Sequence, residues 1–383
     1  MIRYGLDRDF EKAKEIWKEC FLDSYEEREF YFSNLYNKDK FLVLEEDNEI
    51  KASLHENPYK LNINGNLFNS VYIVGVGVLP EYRGKGYMDR LIKSCIIDNR
   101  HKGMEFFYLC PINPMIYRKY GFEYISNLVE YSMKIDEIPY NKIDRDYSIK
   151  KVDIDRDYLE LDKIYRERMK NFNTYVERDR EYYKKWIGEI RNDGGDIYSI
   201  YLDNEIKGYI ALYRKEKIEI REIFGVDKKA IENLLAFVKT FKEYYQEILI
   251  KNPDDSILDY CFLNQNTITK EKYPFIMGRI LNPISVFRMV KYSHININIF
   301  INDDIIEENN GVYKFNSEGE ISFEKSNYWD IKINIGDLSS LLFGQLTVDE
   351  LLFLEKIQVK NIEALEELKK VFVVGKNYIQ DYQ

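Results

Sequence analysis

Apolar residues recur every three to four positions at Phe10, Ala13, Ile16, Trp17, Cys20 and Phe21, which predicts a helix after a short strand over Met1 to Leu6. More helix follows through Glu27 to Leu35. The period then shortens. Phe41 to Leu44 and Ile50 to His55 predict a hairpin around Glu46-Asp47-Asn48, and a strand near Tyr59 to Ile63 turns at Asn64-Gly65. Val71 to Leu79 is almost continuously apolar, as in a strand buried on both faces, and Pro80 ends it. Beyond Gly86, Met88, Leu91, Ile92, Cys95 and Ile96 fall at i, i+3, i+4, i+7 and i+8 and predict an amphipathic helix closing near Gly103. Glu105 to Cys110 is the next strand.

The pattern then repeats. Asp47-Asn48-Glu49-Ile50-Lys51 recurs as Asp203-Asn204-Glu205-Ile206-Lys207, again between two strands, Tyr198 to Leu202 and Gly208 to Tyr213. A further strand, Ile218 to Val226, leads into a helix with Ile231, Leu234, Leu235 and Val238 on one face. Residues 1–144 and 145–283 therefore read as two copies of one unit. From about residue 284 the character changes to short strands (Asn296 to Ile301, Val312 to Phe315, Ile321 to Phe323, Asp330 to Ile335). Helices follow near Ser339 to Phe343, Val348 to Leu354 and Asn361 to Val371, an α+β layout over 284–383.

Length and composition support two or three globular domains. The chain has 383 residues, is 45% hydrophobic and carries 33 Tyr and 22 Phe, which excludes a disordered or low-complexity protein. The net charge of −10, with both signs interspersed, argues against nucleic acid and suits a cationic ligand. Cys20, Cys95, Cys110 and Cys261 lack C-x-x-C spacing and read as reduced thiols of a cytoplasmic protein. His55, His101 and His294 are not spaced to share a metal, so none is expected. No signal-like core and no membrane-spanning run is present.

The chemistry concentrates at Arg83-Gly84-Lys85-Gly86-Tyr87-Met88, between the apolar strand and the helix. The first N–H groups of a helix have no intrahelical partner, so a strand–glycine turn–helix unit receives phosphate. Gly84 and Gly86 hold nothing away from that backbone, and Arg83 and Lys85 add charge. Walker and G-x-G-x-x-G spacings are absent. In the second copy the same place reads Asp227-Lys228-Lys229-Ala230, with no glycine and a carboxylate that repels phosphate.

The turn resembles motif A of the GNAT acyltransferases, R/Q-x-x-G-x-G/A after a buried strand, with Met88 at the position of the last Gly or Ala. Tyr117-Arg118-Lys119-Tyr120-Gly121-Phe122 resembles the Y-x-x-x-G-F element that closes such sites. The resemblance implies acetyl-CoA as co-substrate. The backbone of Val76 and Val78 would meet its pantetheine arm, and Arg83, Gly84, Gly86 and Tyr87 its pyrophosphate. Gly75 and Gly77 either ease that approach or face a packed helix. Tyr117 would be the general acid, since a phenol near pKa ~10 is protonated at neutral pH. Cys110 offers a ping-pong alternative but has no paired His nearby in sequence.

Leu338-Ser339-Ser340-Leu341-Leu342-Phe343-Gly344 and Phe372 to Tyr382 resemble the sterol-carrier-like domain of the Eis acetyltransferases, which extends the likeness to nearly the whole chain. The expected fold is thus α/β and α+β: tandem GNAT domains, the second without cofactor, then a sterol-carrier-like domain. The family implies N-acetylation of aminoglycoside- or polyamine-like small molecules and a homo-oligomer, a hexamer. It implies too that the terminal carboxylate, here of Gln383, reaches the N-terminal site as the base. Phe21-Leu22-Asp23 resembles a substrate-lining segment, with Asp23 either holding an ammonium or solvated in its loop. Two other classes stay open: a GNAT acting on protein lysines or N-termini, and a non-catalytic lipid or acyl carrier.

Overall fold

Asp47-Asn48 and Asp203-Asn204, the starts of the repeated pentapeptide, adopt the same left-handed turn, with φ of 56°, 62°, 53° and 62°. Asn and Asp tolerate this region, and such turns match the twist of the strands they join. The computed structural model of the chain describes residues 1–253, 257–262, 265–289, 295–372 and 375–380.

The first copy runs β1 (Ile2–Tyr4), α1 (Phe10–Cys20), α2 (Tyr25–Asn34), β2 (Phe41–Glu46), β3 (Glu49–Ile63), β4 (Asn66–Val78), α3 (Tyr87–His101), β5 (Phe106–Leu109), α4 (Pro114–Arg118) and β6 (Glu123–Lys134). The second runs β7 (Tyr147–Lys151), α5 (Ile154–Met169), β8 (Thr174–Val176), α6 (Arg180–Asn192), β9 (Gly195–Leu202), β10 (Glu205–Arg214), β11 (Ile218–Gly225), α7 (Lys228–Lys239), β12 (Glu247–Asn252) and β13 (Thr269–Ile280). The C-terminal domain comprises α8 (Pro283–Met289), β14 (Ile297–Asn302), β15 (Gly311–Phe315), β16 (Ile321–Glu324), β17 (Ile331–Asn334), α9 (Ile335–Leu342), α10 (Val348–Phe353), β18 (Ile357–Val359), α11 (Ile362–Val371) and β19 (Asn377–Tyr378).

The two copies share one sheet, in the order β1-β2-β3-β4-β5-β13-β6-β12-β11-β10-β9-β7. Their last strands have changed places. β13 pairs with β5 of the first copy, and β6 pairs with β12 of the second. The expected division at residue 144 is therefore crossed by the sheet, because each copy completes the other's hydrogen bonding.

Ile50 to His55 and Tyr59 to Ile63, expected as separate strands, form the single strand β3. Pro58 is tolerated because β3's outer edge is unpaired there: β2 covers it only as far as His55, and β8 begins at Leu61. The helix expected at Ser339 to Phe343 begins earlier, at Ile335. All eight residues of α9 are buried, so no polar face marks its start. α9 joins the five-stranded sheet β16-β15-β14-β17-β18 to the large one. Leu61, Phe68, Phe106 and Ile125 of the first copy share a core with Ile297, Ile299, Ile331 and Leu338. Among the described residues no helix is long and apolar enough to cross a membrane.

Candidate active site

β4 ends at Val78, a 3₁₀ turn follows over Pro80–Tyr82, and Gly84 (φ 79°) and Gly86 (φ 76°) reverse the chain into α3. A side chain at either glycine would be conformationally strained, though nothing lies within 4 Å of where its Cβ would stand. Gly86 caps α3 through its carbonyl, which accepts from Arg90 N–H at 3.1 Å, and the N–H groups of Tyr87, Met88 and Asp89 have no partner within the helix. This cradle fits a pyrophosphate. The Tyr87 side chain takes no part in it. It is buried, with its hydroxyl donating to Glu46, so only its backbone serves the cradle. Met88 packs against the α3-side core, which accounts for a large residue at that motif position. Arg83 is exposed but turns back, its Nε donating to the Val78 carbonyl at 3.2 Å. Cys20 Sγ approaches the same carbonyl at 3.4 Å.

β4 and β5 pair in parallel only from Ser70 to Tyr72 with Phe106 to Tyr108, and then diverge. Opposite β3 the strand bulges, Gly75 and Val76 standing against Leu54 alone. Gly75 has φ 61°, and a Cβ there would lie 2.6 Å from the Trp17 ring and 2.9 Å from His55. A Cβ on Gly77 would lie 3.1 Å from Ile16 and Cys20. Both glycines therefore face packed α1. Val76 and Val78, half-buried, line the core on the α3 side. Their backbone lies along the opened wedge.

The opposite wall carries Cys110 and Tyr117. Asn113 caps the short α4, accepting from Met115 N–H at 3.0 Å. Tyr117 is 8% exposed, packs edge-on to Phe122 and has no hydrogen-bond partner for its hydroxyl among the described residues. Burial, with Tyr120 and Cys110 adding, pushes its pKa up to about 12. Burial likewise pushes the Cys110 thiol up to about 11, against the pull of Arg221. A protonated phenol suits an acid; a protonated thiol is a poor nucleophile. Gly121 (φ 77°) is needed in the Y-x-x-x-G-F element because a Cβ would meet Arg279 at 2.5 Å and Ile335 at 2.7 Å.

In the α1–α2 loop, Trp17 Nε1 donates to Asp23 at 2.6 Å, fixing an otherwise exposed carboxylate. Ser24 and Glu27 then form a capping box for α2. α2 leans on α6: Asn192 donates to the Glu26 carbonyl at 3.2 Å, and Phe30 lies against Gly188. A cavity of about 540 Å³ opens between β3 at Asn57–Lys60 and the start of α6. Its lining is not acidic, as a polycation site would suggest. Asp162, Glu177, Asp179, Glu181 and Glu189 face Lys60, Arg166, Arg178, Arg180, Lys185 and Arg221.

In the second copy Asp227 caps α7 by accepting from Ala230 N–H at 2.8 Å. The place of the phosphate is taken by the chain's own carboxylate. Among the described residues no three His, Cys, Asp or Glu are grouped as metal ligands, and the four cysteines are free. His294 and Gln383 lie outside the described residues. Asn377 to Gln380 are buried, Asn377 donating to the Ile125 carbonyl of the first copy and Gln380 to the Arg221 carbonyl of the second. Sequence reading missed Gln380, Arg279 and the buried His55. Only Arg279 carried a signal, as one charge within the apolar run Phe275 to Leu281.

Residues 1–125 and 174–280 match family models described as acetyltransferase (GNAT) domains, and residues 284–380 match one described as a sterol carrier protein domain. No curated protein matches the sequence. Solved structures do. One from Enterococcus faecalis V583, described as a probable N-acyltransferase, superposes with a TM-score of 0.87 at 18% identity over 100% of this chain and 99% of its own. A GCN5-related N-acetyltransferase from Anabaena variabilis gives 0.86 at 18% identity, and Eis1 from Mycobacterium abscessus 0.80 at 14%, each over 100% of both chains. At these identities the likeness is one of fold.

Proposed function

The chain is a tandem GNAT acetyltransferase closed by a sterol-carrier domain, the Eis-like order, and on that premise we propose that it acetylates amines of a cationic small molecule, aminoglycoside- or polyamine-like, by direct attack in a ternary complex. The observation that carries the reading is the single wedge that combines an open glycine cradle with a protonated tyrosine; the second copy has its helix terminus capped by Asp227. Bound acetyl-CoA supplies the acetyl thioester. Gly84, Gly86 and the N–H of Tyr87 would hold its pyrophosphate, with charge from Arg83, and the backbone of Val76 and Val78 would meet its pantetheine arm.

Tyr117 keeps a proton on its phenol oxygen at the sulfur side. The carboxylate of Gln383 takes the proton lost by the amine. Asp23, held by Trp17, faces a further ammonium of the acceptor. The same resemblance carries a hexamer, which light scattering reads. The test is acetyl-CoA turnover against a panel of polyamines, aminoglycosides and peptides at rising salt. Turnover of the polycations that falls with salt is the expected result. Turnover confined to neutral peptides overturns the acceptor class.

A further inference from the structure

The second copy repeats the wedge of the first. Ile218 to Ile220 pair in parallel with Ile248 to Ile250 and the ladder stops, as that of β4 and β5 stops at Tyr72 and Tyr108. The next residues, Arg221 and Lys251, turn their carbonyls onto one side chain. Nε2 of Gln380 donates to Arg221 O at 2.6 Å and to Lys251 O at 3.1 Å. Arg221 Nη2 donates in return to the Gln380 carbonyl at 2.8 Å. A primary amide has two N–H donors, and both are used to bridge strands that no longer reach each other.

The residues before Gln380 are fixed as firmly. Asn377 and Tyr378 add a short parallel strand to β8. The Tyr378 hydroxyl lies 2.7 Å from both Glu222 and the Gln380 amide oxygen. Glu222 stands two residues past the ladder, where the first copy has Val74, and takes Arg178 with both oxygens at 2.8 and 2.9 Å. Gln380 is 3% exposed. With Asp227 capping α7, the tail fills the apex of the wedge and a carboxylate fills its phosphate end.

We propose that the wedge of the second GNAT copy is a binding site for the chain's own C-terminal tail, with Gln380 as its anchor and as a positioning residue for the segment beyond it. Arg221, which donates to the Gln380 carbonyl, is also the charge that acts on Cys110 in the first copy's wedge. The docking stands on geometry alone; its consequence for turnover rests on the carboxylate reading above.

The test is hydrogen exchange on the full chain, read on the peptide 375–383. Gln380→Met keeps length and volume but donates nothing. Tail amides are expected to exchange at least about tenfold faster, with the rest of the chain unchanged. Exchange as slow as in the parent overturns the proposal. Should Gln380→Met fail to fold, Gln380→Asn, which draws the amide back by one methylene, is expected to loosen the same peptide, and a tail as protected as the parent's again overturns it. Kinetics separate the two readings. A freed tail with unchanged acetyl-CoA KM and lowered kcat supports the positioning role. A freed tail with undiminished kcat keeps the docking site but overturns that role and the carboxylate base together. Inserting one glycine after Gln380 leaves the anchor intact, so the tail is expected to stay protected while kcat falls.

Discussion

Arg279 and Asp303 form a pair with no exposure to solvent: Nη2 of the arginine meets the two carboxylate oxygens at 2.7 and 2.6 Å. Arg279 belongs to the last strand of the second copy and Asp303 to the C-terminal domain. The other terminal nitrogen, Nη1, donates to the carbonyl of Tyr120 in the first copy. One guanidinium thus ties all three units together beside the loop that carries Tyr117.

Removing one partner of such a pair leaves a buried charge uncompensated. Arg279→Met is expected to cost about 3–5 kcal/mol in urea denaturation. Asp303→Leu should cost at least as much, because Asp303 also accepts from the N–H groups of Ile305 and Ile306 at 3.0 Å and from the Asn309 amide at 2.9 Å. Where Arg279→Met remains folded, kcat should fall more than acetyl-CoA affinity, since the loop ending at Gly121 loses its donor.

Gly86→Asp sets a carboxylate in the cradle at a left-handed position. The fold should survive with a loss of about 1 kcal/mol, while calorimetry should show acetyl-CoA binding abolished. The parent should bind one equivalent per chain. Asp227→Ala removes the second copy's cap at a cost of about 1 kcal/mol and should leave the stoichiometry at one, because no glycine turn precedes α7. Two equivalents in either protein would contradict the assignment of a single cradle.

Tyr117→Phe keeps the ring and removes the proton. Turnover should fall by about 10²–10⁴, with calorimetric affinity for acetyl-CoA retained. Because the phenol is pushed up to about 12, kcat should show no alkaline loss from this group through pH ~9. Cys110→Ala should keep most of the activity, and mass spectrometry should find no acetylated Cys110 in the parent.

His55 gives the stability a pH dependence. It is 3% exposed among the rings of Trp17, Tyr31, Phe32, Tyr36 and Phe41, and burial lowers its pKa to about 3. Between that value and the unfolded value of about 6.5, the unfolded chain binds a proton that the folded chain does not. Its stabilising contribution is complete above about pH 6.5 and is lost as pH falls, by at most about 1.4 kcal/mol per unit. His55→Leu should remove this slope. Urea melts at about pH 5 and about pH 6.5 should show the parent gaining about 2 kcal/mol over the variant.

What depends on neighbours along the chain is legible in the residues themselves. Pro80 ends the strand and Gly84 and Gly86 take left-handed dihedrals that glycine adopts at least cost, so these three mark the cradle, and Asp-Asn twice marked the same turn, which exposed the duplication. The tertiary structure alone decided the exchange of β6 and β13, the tie at Arg279 and the anchoring of Gln380. Arg279 and Tyr120 are 159 residues apart, as are Gln380 and Arg221. A glutamine near the end of a chain has the same local preferences whether it is solvated or bridges two strands. Its role is set by which carbonyls diverging strands leave unpaired, and that is fixed only when the whole sheet has closed.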